Sequence, residues 1–335
     1  MNNSKQHKII AVTPAGRKRY LEILSKYILK DSSIDEWHLW DNCREQSDRE
    51  YINLLAKQYK KIKIIQEKNI DGTNRSVNKF YKYTRDSDAF YIKIDDDIIY
   101  LPNNFGFLLY SQALKEKEQY SWWSPLVINN AICTYLFSSK KIIETNVNLT
   151  AQASCPIGWG SPIFAALLHN LFLKSINSSR LEEWKLNENF NIFLQRFSIN
   201  TIGFFGDFSK KLRDKFCPLN VDDEEYISAK LPILVNKPGR IIGNILVSHF
   251  SFFTQEKFLL TKTNLLHNYA KIAGINNYKF SYKIDRKLIF NMKHLLTYDV
   301  NYFLNNILNI YSNKTKVEIK LYGEQRKNSS GCCNI

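Results

Sequence analysis

The chain has 335 residues, of which 44% are hydrophobic and 14% aromatic, and its formal net charge at pH 7 is +15. This composition excludes a disordered chain and provides core material for one large α/β domain or for two domains. No apolar run reaches the roughly 18 residues of a membrane-spanning helix, and the first residues hold no apolar stretch long enough for a signal peptide. We therefore expect a cytoplasmic protein.

Positive charge is concentrated toward the carboxyl end of the chain. Residues 256–335 contain 13 Lys or Arg against 5 Asp or Glu. Such a segment suits an anionic partner, either a membrane surface or a nucleotide phosphate. The sequence has no helix-turn-helix, zinc-finger or RNP pattern, so we expect no nucleic-acid partner.

The first hundred residues alternate strand-like and helix-like patterns. Short apolar runs predict strands at 8–12, 36–40, 61–65 and 90–94, and apolar residues at helical spacing predict helices at 17–29, 48–59 and 75–83. This alternation is typical of βαβ units and a largely parallel sheet. Ligands of such sheets bind beyond the carboxyl ends of the strands, so the residues that follow each strand are the first candidates for a site.

The pattern becomes mixed after residue 102. We predict helices at 105–115, 163–175, 223–229, 258–270 and 287–310, strands at 120–128 and 241–247, and a loop-rich stretch at 141–162. Neither G-x-G-x-x-G nor G-x-x-x-x-G-K-[ST] occurs, which argues against a dehydrogenase and an NTPase. The cysteines before residue 300 are scattered without zinc-type spacing, so we expect buried, reduced thiols.

The sharpest feature is a set of three consecutive carboxylates, Asp95, Asp96 and Asp97, directly after the apolar run FYIKI. Three adjacent anions repel one another, so a folded chain tolerates them where a cation offsets their charge. Alternation along a strand would put Asp95 and Asp97 on the same side. Two oxygen ligands so placed suit Mg²⁺ or Mn²⁺, which would bridge a diphosphate. The alternative is an acidic loop or helix cap.

An apolar strand followed by D-x-D, after three βα units, resembles the nucleotide-binding half of GT-A glycosyltransferases. The resemblance covers residues 7–255. It implies an α/β, GT-A-like (Rossmann-like) fold with a mixed, mainly parallel sheet flanked by helices. It also implies that Asp97 is the main metal ligand and that Asp95 contacts the nucleotide ribose or the metal, with Asp96 beside them at the nucleotide.

A histidine after a late strand strengthens this resemblance. The run ILVSHF at residues 245–250 ends an apolar strand at His249, and many GT-A enzymes take a further metal ligand from such a position. Imidazole is a common ligand of Mn²⁺-class metals. A histidine beside aromatic residues is otherwise usually structural, so metal binding by His249 depends on Asp95 and Asp97.

The acidic run DDEE at residues 222–225 begins a predicted helix. Inverting GT-A enzymes place a carboxylate at such a helix start, where it acts as the general base that deprotonates the acceptor hydroxyl. By this resemblance Asp223 is the first choice for the base and Glu224 the second. The alternative is plain capping, since a helix N-terminus favours negative charge.

Further nucleotide-binding candidates follow or precede the early strands in the sequence. For each of them the alternative is an ordinary structural role in a loop or helix. Trp159, which lies between two glycines, either stacks on a sugar or is simply buried. The candidates are Thr13, Pro14, Arg17, Asp41, Arg75 and Asn78.

The resemblance therefore implies a metal-dependent glycosyltransferase that uses a nucleotide sugar, most readily a UDP-sugar, and a glycan, lipid-linked or protein acceptor. A retaining enzyme, a nucleotide-sugar hydrolase or pyrophosphorylase, and a non-catalytic binding module are the alternatives. The predicted organisation is a catalytic domain at 1–255, with a nucleotide half at 1–101 and an acceptor half at 102–255. A basic, mostly helical extension with a flexible tail follows at 256–335.

The tail carries its own signal. Cys332 is the fourth residue from the end, the position required by a C-a-a-X prenylation signal, and Arg326 and Lys327 lie upstream. Cys333 and Asn334 are not the usual aliphatic pair, so an unmodified tail is the alternative. A lipid chain with a basic patch would attach the protein to the cytoplasmic face of a membrane without a spanning helix.

Overall fold

A computed structural model describes residues 7–280 and 317–322. The strands are β1 (Lys8–Ala15), β2 (Glu36–Asp41), β3 (Ile62–Ile65), β4 (Ala89–Ile94), β5 (Ile98–Tyr100), β6 (Trp122–Ile128), β7 (Ile143–Thr145), β8 (Phe190–Ile192), β9 (Thr201–Phe205), β10 (Gly239–His249) and β11 (Ile319–Leu321). The helices are α1 (Lys18–Lys30), α2 (Gln46–Gln58), α3 (Asn74–Val77), α4 (Phe105–Lys115), α5 (Ala131–Ser139), α6 (Pro162–Asn177), α7 (Gly206–Leu212), α8 (Asp223–Glu225), α9 (Leu231–Val235), α10 (Phe253–Lys262) and α11 (Leu265–Ile272).

Shorter helical turns complete the described chain. A 3₁₀ segment, Asn78–Tyr83, continues from α3. The π segment Tyr226–Lys230 joins α8 to α9, so that 223–235 forms one continuous helical stretch. Such π segments are rare and often lie at functional sites.

The central sheet has the strand order β3-β2-β1-β4-β9-β6-β10-β5, with β8 beside β10. Strands β1 to β4 are parallel to one another, and β6 and β10 form a second parallel pair. Strand β9 runs antiparallel between β4 and β6, and β5 and β8 run antiparallel to β10. The two longest pairings, β6–β10 and β1–β2, are parallel. The predicted class, α/β with a mixed, mainly parallel sheet flanked by helices, is confirmed.

One hydrophobic core joins the sheet to its helices. Helix α4 packs against β1, β6, β9 and β10, and α1 packs against β1 and β5. Every residue of β4 and β6 is buried, as expected for central strands covered on both faces. Gly203 in β9 lies under the Phe90 ring, so close that a Cβ would come within 2.4 Å of it. A side chain at that position would force the Phe90 ring of the neighbouring strand to move.

A small second sheet pairs β11 antiparallel with β7. The backbone N–H of Tyr322 also donates to the carbonyl of Ile142, and Leu321 is buried. Residues 319–322 are thus held against the start of the predicted loop-rich stretch at 141–162.

Several predictions of local structure were incomplete. The predicted helix at 258–270 is two helices, α10 and α11, broken at Thr263, and the predicted helix at 75–83 is α3 plus a 3₁₀ segment. Strands β5, β7, β8 and β9 and helices α5 and α7 were not predicted, because most are too short to show a period. The predicted boundary after residue 255 falls inside α10, which packs on α6. The predicted helix at 287–310 and the Cys332 tail lie outside the described residues.

Two features of the described residues bear on location and redox state. Within 7–280 and 317–322, no helix is both long enough and apolar enough to cross a bilayer. Cys43, Cys133, Cys155 and Cys217 are buried free thiols, as predicted.

Candidate functional site

Strands β1, β4, β6 and β10 all point the same way, so their carboxyl ends meet along one edge of the sheet, together with the start of antiparallel β9. This is where ligands of such sheets bind. Polar side chains follow β1, β4 and β6, end β10 and precede β9. We call this region the polar edge and define it by Arg17, Asp95, Asp96, Asp97, Asn129, Asn130, Asn200 and His249.

The three consecutive aspartates lie in a tight turn rather than in a strand. Strand β4 ends at Ile94, the Asp95 N–H donates to the Asn200 carbonyl (2.9 Å), and the Ile98 N–H donates back to the Asp95 carbonyl (3.1 Å). Because the strand has ended at Ile94, the alternation of side chains along it no longer applies to these residues, and the expectation that Asp95 and Asp97 lie on one side stays a prediction. The carboxylates of Asp96 and Asp97 share one cation, whereas Asp95 pairs with another.

Arg17 is the cation shared by Asp96 and Asp97. Its Nη2 contacts Asp96 Oδ1 and lies 3.0 Å from Asp97 Oδ2, and its Nε lies 3.1 Å from Asp96 Oδ1. The Gly16 N–H donates to the other oxygen of Asp96 (3.1 Å). Asp96 therefore anchors the β1–α1 junction. Glu256 of α10 approaches the same guanidinium (3.4 Å) and also accepts from Tyr20 (2.7 Å).

Asp97 and His249, far apart in sequence, are in direct contact. Asp97 Oδ2 lies 3.3 Å from His249 Nε2, and both side chains are about 95% buried, at 5% and 4% exposure. His249 Nδ1 faces the Asn129 carbonyl (3.2 Å), and a carbonyl only accepts, so Nδ1 carries a proton. Burial alone would raise the pKa of Asp97, but Arg17 and His249 outweigh it and hold that pKa below its ordinary value. Burial works against a charged His249, yet Asp97 raises the pKa of the ring.

Asp97 and His249 fit a divalent metal, whereas the predicted set of three does not assemble. The hydrogen bond from Nδ1 to a backbone carbonyl fixes the tautomer that leaves Nε2 as a ligand, an arrangement typical of metal-binding histidines. An imidazole nitrogen and a carboxylate oxygen are suitable donors for Mn²⁺. Asp95 is turned toward Lys93, and no group of three His, Cys, Asp or Glu side chains in 7–280 and 317–322 could hold a metal.

Asp95 is the most accessible of the three aspartates. Its side chain is 26% exposed, and its Oδ1 lies 2.5 Å from the Nζ of buried Lys93. Burial raises the pKa of Asp95 to about 6, although Lys93 opposes the shift. Asp95 therefore presents a carboxylate to solvent at the polar edge, within the field of Asp97 and His249.

Asp223 does not cap its helix. The cap is Asp222, whose Oδ1 accepts from the Glu225 N–H (2.8 Å). The Asp223 side chain instead turns inward, where its Oδ2 accepts from the Tyr81 hydroxyl (3.0 Å). Burial raises the pKa of Asp223, while Lys93 and the Tyr81 hydrogen bond oppose the shift. The Asp223 carboxylate is thus buried, hydrogen-bonded by Tyr81 and not used as the helix cap.

Glu224, the second candidate for a base, is engaged elsewhere. Arg196 donates from Nε to Glu224 Oε1 (2.8 Å) and from Nη2 to Asp222 Oδ2 (3.2 Å). The arginine thus clamps both neighbours of Asp223 from outside.

The other residues predicted to bind the nucleotide lie in different parts of the structure. Thr13 and Pro14 lie within β1 rather than after it, because the strand runs on to Ala15. Thr13 is fully buried and accepts from the Trp37 indole (3.0 Å). Asp41 ends β2 and pairs with Arg49 (3.0 Å). Arg75 is exposed on α3, away from these contacts.

Asn78 acts on the segment that carries Asp223. Its Nδ2 donates to the carbonyls of Pro218 and Val221, both at 2.8 Å. The side chain is buried, and it anchors the loop that leads into α8. Trp159 is half-buried against Phe252 and Phe253.

Sequence reasoning missed four residues of this region: Lys93, Tyr81, Arg196 and Glu256. Lys93 had a visible signal, because a lysine inside an apolar strand is almost never buried without a partner. The other three had none, since each reaches its partner only through the tertiary fold.

Comparisons with known proteins give distant structural resemblances only. The sequence matches no protein-family model and no curated protein. The fold is similar to a mannosyltransferase, PcManGT from Pyrobaculum calidifontis, solved with GDP-Man and Mn²⁺: 9% identity, 93% of this chain and 89% of that chain, TM-score 0.45. It is also similar to 4-diphosphocytidyl-2C-methyl-D-erythritol synthase from Anaerococcus prevotii (12% identity, 80% and 99% coverage, TM-score 0.41).

A third similar structure is GalNAc-T7 with UDP, GalNAc and Mn²⁺, at 10% identity and a TM-score of 0.42. The alignment covers 80% of this chain but only 48% of GalNAc-T7. At these identities and TM-scores, the chemistry of this chain has to be argued from its own residues.

Proposed function

We propose that the protein is a GT-A-type glycosyltransferase that moves a sugar from a nucleoside-diphosphate donor to an acceptor hydroxyl, with inversion at the anomeric carbon. The observation that carries the proposal is the buried carboxylate of Asp223. It leaves capping to Asp222, is held by Tyr81, and has a raised pKa. A general base works best when its pKa approaches the working pH.

The polar edge is the proposed donor site. Asp97 and His249 would hold Mn²⁺ or Mg²⁺, which supplies positive charge for the diphosphate leaving group. Arg17 adds a guanidinium at the same place, and planar guanidinium groups bind phosphate oxygens in pairs. Asp95, partly exposed at the polar edge, would accept hydrogen bonds from the ribose. UDP-sugars are the first donors to test.

Asp223 serves the acceptor. The acceptor oxygen forms a bond to the anomeric carbon while the bond from that carbon to the diphosphate oxygen breaks, and the electron pair leaves with the diphosphate. The acceptor hydroxyl proton passes to Asp223. Tyr81 keeps the carboxylate oriented through its hydrogen bond to Oδ2. The acceptor class, a glycan, a lipid-linked sugar or a protein, follows from the experiment and not from these contacts.

A donor screen tests the proposal. Purified protein is heated with Mn²⁺ and each nucleotide sugar, and a bound donor at a hundredfold excess over Kd should stabilise it by about 2.7 kcal/mol. Reactions of the stabilising donor with candidate acceptors are then separated by mass. A glycosylated acceptor supports the transferase. Free sugar released with or without acceptor indicates a hydrolase, and no stabilisation by any donor contradicts the proposal.

The basic tail suggests a membrane location, which we propose separately. Prenylation of Cys332 beside Arg326 and Lys327 would give the two signals that stable attachment requires, one lipid chain and one basic patch. Intact mass after expression in a eukaryotic cell should show one added prenyl group, absent from Cys332→Ser. An unmodified mass in both proteins would exclude the lipid and leave the transferase proposal unaffected.

A further inference from the structure

Residues 196–200, the second part of the connection between β8 and β9, are mostly buried. Residues 197–200 are at most 4% exposed, whereas the side chain of Arg196 is 45% exposed. Connections between strands usually run over the surface, because a buried backbone must find hydrogen-bond partners away from water. The partners of this segment therefore show which parts of the molecule it holds together.

The carboxyl end of the segment is bonded to the polar edge. The Asn200 carbonyl accepts from the Asp95 N–H (2.9 Å). The Asn130 side-chain amide donates to the Asn200 side chain (3.0 Å) and to the Ser198 carbonyl (2.9 Å). The segment is thus fixed both to the turn that carries the three aspartates and to the residue that follows β6.

Buried Lys93 fastens the same end. It lies on β4 and is 4% exposed, and its Nζ donates to the Ile199 carbonyl (2.9 Å). Lysine is almost never buried without a partner, and here the Ile199 carbonyl and the Asp95 carboxylate (2.5 Å) are its partners. The lysine in the apolar run FYIKI therefore has a structural reason, which is to hold this segment against the sheet.

The amino end of the segment is bonded to the helix start that carries Asp223. Arg196 donates from Nε to the Glu224 carboxylate (2.8 Å). The Phe197 N–H donates to Ser228 Oγ (3.0 Å), and Ser228 Oγ donates to the Glu224 carbonyl (2.5 Å). Both the side chain and the carbonyl of Glu224, the residue next to Asp223, are therefore held by this segment.

We infer that the 196–200 segment sets the position of Asp223 relative to the polar edge, and that Arg196 is the positioning residue at its exposed end. The inference rests on the proposed function for the roles of Asp223 and of the polar edge. Arg196 acts through Glu224 and not on a substrate. Position matters because a displacement of about 1 Å in a catalytic group can cost roughly 10²-fold in rate.

The experiment compares Arg196→Met with Glu224→Met, which remove the same ion pair from its two sides and change the net charge in opposite directions. We measure kcat and donor KM on the pH plateau above the acid limb, where Asp223 is ionised in every variant, so that shifts of its pKa do not enter. The control is Arg180→Met. Arg180 is 41% exposed and also donates from Nε and Nη2 to a carboxylate, that of Glu183 (both 2.7 Å), just after α6.

We expect each single variant to lower kcat by roughly ten- to hundredfold and to leave donor KM unchanged. The double variant should be no slower than the slower single variant, because both substitutions remove one shared interaction. Arg196→Lys, which keeps a charged donor, should recover part of kcat, and Arg180→Met should change nothing. All variants should fold, since exposed ion pairs contribute little to stability.

Two outcomes would overturn the inference. If kcat falls in one single variant and rises in the other, the ion pair acts through its charge and not through position. If kcat in Arg196→Met equals that of the wild type, the segment does not position the base.

Hydrogen exchange of the backbone amides at residues 222–230, followed by mass spectrometry, needs no substrate, so the two proposals fail separately. Exchange should be faster in Arg196→Met by up to roughly fivefold, the effect of losing one exposed ion pair, and unchanged in Arg180→Met. A wild-type protein that transfers no sugar but shows this response would contradict the proposed function and keep the link made by the segment. A transferase in which neither exchange nor kcat responds would overturn the inference alone.

Discussion

Two acidic segments, the turn at residues 95–97 and the helix start at residues 222–224, are stabilised in different ways. In the turn, Asp97 is in direct contact with Arg17 and His249, and its pKa is lowered. At the helix start, Asp223 is held by a neutral hydroxyl and its pKa is raised by burial. The first arrangement favours a permanent anion, as a metal ligand must be. The second favours a group that exchanges a proton.

The comparison also separates the two cations that serve these carboxylates. Arg17 is partly exposed, at 24%, and lies where a phosphate could reach it, whereas Lys93 is enclosed. An arginine at an open edge can change partners when a ligand arrives. An enclosed lysine cannot change partners in this way, so it holds neighbouring groups in place and does not bind a ligand.

The largest expected effect is on Asp223. Asp223→Asn should lower kcat by about 10²–10⁴-fold, the usual cost of losing a general base, and leave the donor Kd unchanged. The matched control is Asp222→Asn, because asparagine still caps the helix at that position. If Asp223→Asn keeps activity within a few-fold of wild type, Asp223 is not the general base. The base would then be Glu224, or the mechanism would be a retaining one.

Asp97→Ala tests the other side of the comparison. We expect donor binding in Mn²⁺, measured by calorimetry, to weaken by more than the roughly 10–100-fold that an outer partner of a metal ligand costs. The fold should persist, because Arg17 keeps Asp96 and Glu256. Asp207→Ala removes a half-exposed carboxylate beyond the opposite end of β9 and serves as control. Unchanged donor affinity would remove Asp97 from the site.

The substitution Tyr81→Phe tests the contribution of the Tyr81 hydroxyl to the pKa of Asp223. The hydroxyl stabilises the ionised form of Asp223, so its loss should raise that pKa further and move the acid limb of the kcat profile to higher pH. One hydrogen bond of about 1 kcal/mol corresponds to a shift of that limb by about 0.7 pH unit. An acid limb that stays in place would show that Tyr81 only fills space.

The smallest effect concerns stability. A carboxyl whose pKa is raised in the folded state stabilises the fold fully only below its unfolded pKa, and this contribution is lost as pH rises through the folded value. Asp223→Asn should therefore be more thermostable than wild type at neutral pH, by about 2–4 °C for each kcal/mol. The difference should vanish near pH 3, below the ordinary aspartate pKa. A difference in melting temperature between Asp223→Asn and wild type that is the same at both pH values would contradict the raised pKa.

Much of the first hundred residues was predictable because short apolar strands alternate with amphipathic helices. Strands β1 to β4 and helices α1 and α2 lie within a few residues of their predicted bounds. Helix α5 was missed for the opposite reason: it is apolar on nearly all sides and follows an apolar strand, so it has no period. Its one local signal was Asn130, which caps it by accepting from Ile132 and Cys133.

Residues of the site could be predicted where polar side chains lie directly at the end of a strand. The sequence predicted that Asp97 and His249 belong together, and they are in contact; their role as metal ligands stays a prediction. The sequence DDEE alone could not decide whether Asp223 caps the helix. The capping residue is the one that ends the preceding loop, and the sequence does not show which residue that is. The pairing of Asp95 with Lys93 was not predicted, although the end of β4 at Ile94 was.

Helix α10 has a practical consequence for anyone who shortens this protein. Gln255 and Glu256 sit side by side in its first turn, the former accepting from the Asn129 amide (2.9 Å) and the latter from Arg19 (2.8 Å) and Tyr20. An expression fragment that stopped at residue 255 would sever that turn and strip a counter-anion from the two arginines at the start of α1. A fragment intended to keep the polar edge intact has to extend beyond Ile272, and a fusion partner is better joined there than at the predicted boundary after residue 255.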